Sequence, residues 1–336
     1  MTSFTIGVVG RDADSIATFE SVREAAGGEP TGEPPAPGAT LMVAWRGDVP
    51  VARLALSLVH DLHQAPGPSG LVGHYEAVDP EGGVTLLRDA CSTLARQGAV
   101  SVLGPMNGST WARYRLALRD DPSRDMEAPP FLTEPWNPPG YPGHFEAAEF
   151  SVAARYESRV DLRLDAEAED ADTLEARVRH AGIQVRTLDL AAFDQELDRL
   201  FALSLECFAH NLYYTPIDLA TFRAQYEKIR PLIDPDLVLI ADTESRPVAF
   251  QFAFRDPLSP DPRAPRVIVK TVATSPACRG LGLGGHMLDL IRRRARALGA
   301  GSVIHALMYS RNLSMRMSAR HETEVFRRYA LYQWTP

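Results

Sequence analysis

The sequence predicts a mixed α/β protein, an α+β mixed sheet built twice over. Three observations predict it. Strand-like and helix-like segments alternate along the chain, which is the pattern of mixed α/β folds. Their order begins again past the midpoint, where an offset of roughly 201 residues lays Gly98-Ala99 on Gly299-Ala300, Leu87 on Leu288 and Val102 on Val303. A length of 336 residues is long for one hydrophobic core and suits two. The expected division is 1–165 and 166–336.

In the first half, residues 5–9 read as a short strand and 15–26 as a helix. Residues 27–38 are rich in Gly and Pro and read as a loop. Strands are expected at 41–45 and 51–58, joined at Gly47-Asp48, and at 71–77. Leu86, Leu87, Ala90 and Leu94 fall at helical spacing within 84–96, with Gly98 as the stop. A strand at 100–103, a proline-rich loop at 120–143 and a closing strand at 155–164 complete this half. Residues 166–172 are small and acidic, a linker or the start of a helix. The second half repeats the order: strand 183–188, helices 193–208 and 219–228, strands 237–241, 248–254 and 268–273, helix 284–298, strand 303–309. Asp218 is a candidate N-cap for the helix at 219–228, and Asn312 begins a further helix.

Composition is that of a globular protein, 45% hydrophobic and 23% charged. A net charge of −8 argues against a nucleic-acid binder, which carries a basic face. Cys91, Cys207 and Cys278 are odd in number and far apart, which fits a reducing compartment and no disulfide framework. No Cys/His cluster suggests a metal. The first residues, MTSFTIGVVG, lack the basic and apolar regions of a signal peptide, and no apolar run reaches membrane-spanning length. The expectation is a cytoplasmic protein that binds neither nucleic acid nor membrane.

The strongest local signal is Arg279-Gly280-Leu281-Gly282-Leu283-Gly284-Gly285, between a β-rich run and an amphipathic helix with Met287, Ile291, Ala295 and Leu298 on one stripe. Glycines let backbone N–H groups turn inward, and a helix N-terminus adds partial positive charge, so the pair favours a pyrophosphate. Arg292, Arg293, Arg294 and Arg296 are read on the outward face, as a solvated charge run or as contacts to a further phosphate. A Walker A loop is excluded because His286 follows Gly285 where Lys and Ser/Thr are needed. A dinucleotide fingerprint matches at Gly280, Gly282 and Gly285, but no Asp or Glu lies between Leu290 and His321 to hold a ribose. A third pattern, Arg/Gln-x-x-Gly-x-Gly/Ala, is satisfied by Arg279, Gly282 and Gly284.

That pattern, with Pro276 three residues before Arg279, resembles the acetyl-CoA motif of the GNAT superfamily; Thr274 stands where an apolar residue is usual. More of the chain resembles a GNAT group with two fused halves, through Gly73-His74-Tyr75-Glu76, Gly104-Pro105-Met106-Asn107, Asn137-Pro138-Pro139-Gly140-Tyr141-Pro142 and the residues from Ile233 to Ala241. The resemblance implies tandem GNAT-like acyl-CoA N-acyltransferase domains. It implies a strand that bulges and splays before the loop, with Val272, Ala273 and Thr274 facing pantetheine. Amides of Gly280, Leu281, Gly282, Leu283, Gly284 and Gly285 are expected to hold the pyrophosphate, and Asn312 to touch the CoA chain or simply cap its helix. Acetyl-CoA or a related acyl-CoA is the implied co-substrate. A small-molecule amine or a peptide amine is the implied acceptor, and the chain a monomer or homodimer.

The same offset puts Asp79 opposite Gly280 and Glu81 opposite Gly282, so carboxylates would repel pyrophosphate in the first half. One CoA site per chain is expected, with the stretches 104–107 and 137–142 lining an acceptor cleft between the halves or forming turns. Acyl transfer to an amine needs a base, an oxyanion donor and an acid. Many GNAT enzymes carry a carboxylate on the strand before the loop and a tyrosine seven residues past the Asn312 position. Here no Asp or Glu lies between Asp261 and Asp289, and that later position is Ala319. Strand alternation offers His305 as base and Tyr309 as acid, on one face with Leu307. Tyr213, Tyr214 and Glu206 are further candidates, and Cys278 is read as incidental. The alternative is a non-catalytic CoA-binding sensor or scaffold.

Overall fold

The computed structural model describes residues 3–28, 33–119 and 128–336; the parts of the two loop expectations on 29–32 and 120–127 lie outside the described residues. The first half runs β1 (Thr5–Val9), α1 (Ala13–Ala25), β2 (Thr40–Arg46), β3 (Val49–Val59), β4 (Ser69–Ala77), α2 (Pro80–Arg96), β5 (Ser101–Gly104), β6 (Leu116–Leu118), α3 (Tyr141–Ala147) and β7 (Ser151–Asp161). The second runs α4 (Ala171–His180), β8 (Gln184–Thr187), α5 (Phe193–Phe208), α6 (Leu219–Ile229), β9 (Val238–Asp242), β10 (Pro247–Arg255), β11 (Arg266–Thr274), α7 (Leu283–Ala297), β12 (Ser302–Tyr309), α8 (Leu313–Ser318) and β13 (Glu324–Trp334).

The repeat is real in three dimensions. Helices α2 and α7 each follow a strand of a parallel pair, β4 with β5 and β11 with β12. Leu87 and Leu288 are both buried beneath their helices. Gly98 and Gly299 both take the left-handed conformation, φ 96° and 77°, that ends a helix without a Cβ clash. In α7 the buried residues Leu283, Met287, Ile291 and Ala295 follow every fourth position, and burying each large aliphatic side chain contributes about 1.5–3 kcal/mol.

The two halves share one sheet, in the order β1-β2-β3-β4-β5-β13-β7-β12-β11-β10-β9-β8, with β6 also paired to β13. The last strand of the chain therefore lies between β5 and β7 of the first half, and β7 in turn pairs with β12 of the second. Strand β13 was not legible in the sequence because Arg327 and Arg328 interrupt its apolar run. The Arg327 side chain is buried all the same, donating to the Glu134 carboxylate, which also accepts from Tyr329. Helix α3 was hidden by its Gly and Pro residues. The segment read as linker or helix start leads directly into α4.

One expected exposed residue is not exposed. Arg292 is buried, paired with the fully buried Asp161 at the end of β7. It also donates to the carbonyls of Arg163 and Ala166, at 2.9 Å each, and so pins the connector between the halves. The charge run hid this, since only three of its arginines face outward. Among the described residues, no helix is long and apolar enough to cross a membrane.

Candidate functional site

Strands β11 and β12 pair only from Arg266↔Ser302 to Val269↔His305, then part. Each carries an extra residue at the parting point. In β11, Phe252↔Thr271 is followed by Ala253↔Val269, so Lys270 bulges. In β12 the register against β7 jumps between His305↔Arg159 and Met308↔Glu157, and Leu307 there has φ 57°. Bulges bend and twist a strand away from its neighbour. The result is a cleft between residues 270–274 and 306–309, and Val272, Ala273 and Thr274 lie in its β11 wall.

The glycine loop follows at once. Gly280 and Gly282 take φ 86° and 78°, and Gly282 is the N-cap of α7 with no side chain capping the helix. The N–H groups of Leu283, Gly284 and Gly285 belong to the first turn and have no intrahelical acceptor, so they present positive charge. A β-carbon at Gly280 would meet nothing, and Arg279 and Gly280 are exposed. The other glycines admit close neighbours. A β-carbon at Gly282 would collide with Leu174 of α4, one at Gly284 would stand 3.1 Å from Met317 of α8, and one at Gly285 would stand 2.7 Å from Arg320. The Gln251 side-chain amide donates to the Gly284 carbonyl at 2.6 Å and fixes the start of the helix. The Arg279–Gly280 side of the loop is open. Asn312 is exposed and caps α8, its side-chain oxygen accepting from the Leu313 N–H at 2.7 Å. Of the outward arginines, Arg293 pairs with Glu167 and Arg294 donates to the Asp236 carbonyl.

The expected acid–base pair is separated. His305 aligns with Arg159 and Tyr309 with Tyr156; these lie three residues apart on a regular stretch of β7, hence on opposite faces. The extra residue at Leu307 flips the alternation that the sequence implied. His305 is buried with its Nδ1 2.8 Å from the Ser318 hydroxyl and its ring beside His321. Burial pushes its pKa down to about 3, so it is a neutral packed residue outside the cleft. Tyr309 packs at a tilt against Tyr156, with ring centres 5.4 Å apart. Tyr213 lies close to Tyr309; burial, then that neighbour, raises its phenol pKa. Glu206 accepts from Ser275 and pairs with Arg246, which holds its carboxyl below the usual range. Cys278 is buried, and burial raises its thiol pKa.

Lys270 was missed. It is the bulged residue at the head of the cleft, its ammonium 2.8 Å from the Thr133 hydroxyl. Burial of the ammonium, then the nearby Arg115 and Arg113, pushes its pKa down to about 7. A lone lysine inside the apolar run Val267-Ile268-Val269-Lys270-Thr271-Val272 was the available signal.

The matching place in the first half is closed. Asp79 caps α2, accepting from the Gly82 N–H at 3.1 Å and pairing with Arg46. The Tyr75 hydroxyl fills the space beside Gly83. The stretches 104–107 and 137–142, with 73–76, do not line a cleft between the halves. They meet at a cavity whose lining residues all lie between Glu20 and Tyr141, because Gly73 lets the Met106 and Asn107 backbone cross β4 closely.

By sequence, no family model matches the chain, and no curated protein does. Solved structures do. A region described as a GCN5-related glucosamine N-acetyltransferase, in a fungal multi-domain β-N-acetylglucosaminidase, matches 99% of this chain with TM-score 0.57 and 14% identity. The chain spans 38% of that protein's length. A GCN5-related N-acetyltransferase from Sphaerobacter thermophilus matches with TM-score 0.51 and 16% identity, over 99% of this chain and 95% of that one. A tandem GNAT protein from the clavulanic acid biosynthesis pathway matches with TM-score 0.52 and 12% identity, over 99% and 98%. Similarity at this identity establishes architecture, and the architecture is that of two fused GNAT-like halves sharing one mixed sheet.

Proposed function

We propose that the chain is an acyl-CoA-dependent N-acyltransferase with one acyl-CoA site, in its C-terminal half, and that it passes the acyl group directly to an amine. The observation that carries this reading is the contrast between the two helix N-termini. In α7 an uncapped, glycine-lined N-terminus stands beside splayed strands, whereas in α2 the same place is filled by the Asp79 carboxylate. Acetyl-CoA, or a related acyl-CoA, supplies an acyl group activated as a thioester. The chain's part is to hold and to move protons. First-turn amides of α7 and the residues Arg279 to Gly285 bind the pyrophosphate. The backbone of Val272, Ala273 and Thr274 lines the path toward the cleft. An amine acceptor, small molecule or peptide, must reach the cleft deprotonated. Lys270, with a pKa near 7, is suited to take that proton, and Tyr309 to return one to the leaving thiolate. We place the protein in the cytoplasm, as a monomer or homodimer.

A second reading, CoA binding without turnover, is favoured by two features. His305 faces away from the cleft, and Ala319 ends α8 where a tyrosine is common in the fold. Release of CoA from acetyl-CoA across a panel of amines separates the two. Turnover with any amine removes the binding-only reading. Acetyl-CoA binding without turnover favours it, and absence of acetyl-CoA binding sinks both.

A further inference from the structure

The cavity of the first half has the size and lining of a ligand site in its own right. Its volume is about 120 Å³. That is space for roughly eight to twelve water-sized groups. It lies away from the α7 loop and is lined by residues of the first half alone.

Its polar walls carry opposite charge. Arg113 and Arg115 stand on one strap, and Glu76 stands on β4. Arg115 is buried, with its guanidinium between the Tyr114 and Tyr156 rings, 3.8 and 4.1 Å from their centres. One of its nitrogens donates to the Leu307 carbonyl at 3.1 Å, while its Nε has no hydrogen-bond partner. Glu76 is engaged through one oxygen, which accepts from Tyr141 at 2.7 Å. Burial lifts its carboxyl pKa, against the Tyr141 hydroxyl and the charges of Arg53, Arg113 and Arg23, which favour the carboxylate. Glu20 pairs with both Arg23 and Arg53, and Glu33 adds one carboxylate. His74 is kept neutral, its pKa pushed down to about 4 by burial and then by Arg53.

The backbone around the cavity is held in uncommon conformations. His74 has φ 51° and Arg115 has φ 73°, both left-handed and neither glycine. Such residues cost about 1–3 kcal/mol each and collect where a site needs a side chain aimed against local preference. His74 is held there by its N–H donating to the Asn107 side chain at 2.8 Å. Thus the three motifs, some 30 residues apart in sequence, converge on a small space lined by arginines, carboxylates and aromatic rings.

We propose that this cavity binds a small zwitterion, an α-amino acid or a compound of like size carrying one ammonium and one carboxylate. The carboxylate lies toward Arg113 and Arg115, and the ammonium toward Glu76. With Asp79 closing the neighbouring helix N-terminus, the ligand is bound here and not acylated. The proposal does not depend on acyl transfer in the second half.

The test is calorimetric titration of the intact chain with L-glutamate, L-glutamine and L-alanine at millimolar concentrations. Glutarate, which lacks the amine, and butylamine, which lacks the carboxylate, serve as controls. Glu76→Gln still accepts from Tyr141 but loses its charge, and Arg113→Gln alters an exposed side chain; melting curves without ligand confirm that each variant is folded. The expected result is that at least one amino acid binds, both controls bind more weakly, and each variant weakens the amino acid by about tenfold, some 1.4 kcal/mol. No binding by any of the three amino acids overturns the proposal. So does glutarate binding as tightly as glutamate, or binding that neither variant changes.

Discussion

His305 and Tyr309, four residues apart on β12, lie on opposite faces of the sheet because Leu307 between them is an extra residue. The two side chains therefore have different work. Replacing His305 with Ala removes the partner of the Ser318 hydroxyl and leaves a buried gap, at a cost of about 1–3 kcal/mol in stability. Thermal melting should show the loss, with kcat on the best amine little changed. Tyr309→Phe should show the reverse: nearly unchanged melting and a kcat lowered at least tenfold. If His305→Ala abolishes turnover in a protein that melts normally, the assignment of faces is wrong.

The loop prediction concerns Gly280. Its φ of 86° and the open space around it mean that Gly280→Asp costs only local backbone strain, about 1–2 kcal/mol. The carboxylate would stand two residues before the N-cap Gly282 and repel a pyrophosphate at the helix N-terminus. Acetyl-CoA affinity by calorimetry should fall at least tenfold, while Asp79→Asn should leave it unaltered.

Lys270 sets a pH dependence with a definite sign. Its folded pKa, about 7, is below the ordinary 10.5, so between these values the unfolded chain binds more protons than the folded one. Its contribution to stability therefore rises with pH across that window. Below about 7 both states are protonated, and the full cost of desolvating the half-buried ammonium is present. Lys270→Met should be more stable than the parent at neutral pH, by a margin that narrows as pH approaches 10. On the activity side, kcat/KM should rise through about pH 7 in the parent, and the variant should lose that limb along with about a hundredfold in rate. A parent profile flat from pH 6 to 8 would remove Lys270 from the chemistry.

Asp161 and Arg292 form a buried pair at the junction of the halves. Asp161→Ala strands a buried guanidinium and should cost roughly 3–5 kcal/mol, measured by denaturant unfolding. The double change to Asp161→Ala with Arg292→Met should recover much of the loss.

Strand β13 tests how far the halves are separable. It pairs with β5, β6 and β7 together, so ending the chain before Glu324 removes a central strand from both halves at once. The truncated chain should lose its cooperative melting transition. A fragment of residues 1–165 alone should likewise fail to melt cooperatively, because its β5 and β7 would lack the strand that joins them.

What the residues alone determined was the part of the fold written in local spacing. Apolar side chains at every third or fourth position marked α2, α5 and α7, and alternation marked most strands. Gly98 and Gly299 marked equivalent helix ends. Arg279, Gly282 and Gly284 marked the loop, because a left-handed N-cap before an apolar stripe needs glycine whatever surrounds it. Asp79 likewise marked a carboxylate at the start of α2, since a residue at a helix N-terminus acts on amides only a few positions away. The tertiary structure decided what depends on a partner distant in sequence. A bulge is a count of one strand against another, so neither Lys270 nor the turned face of His305 exists in a linear pattern. Arg292 reads as surface charge until Asp161, contributed by the other half, is placed beneath it. The β13 strand reads as polar until Glu134 and Tyr329 are seen to enclose Arg327. The cavity of the first half assembles from three motifs only when β4 and the two loops crossing it come together, because the close approach that Gly73 permits is a property of the packed backbone and not of the residues in a row.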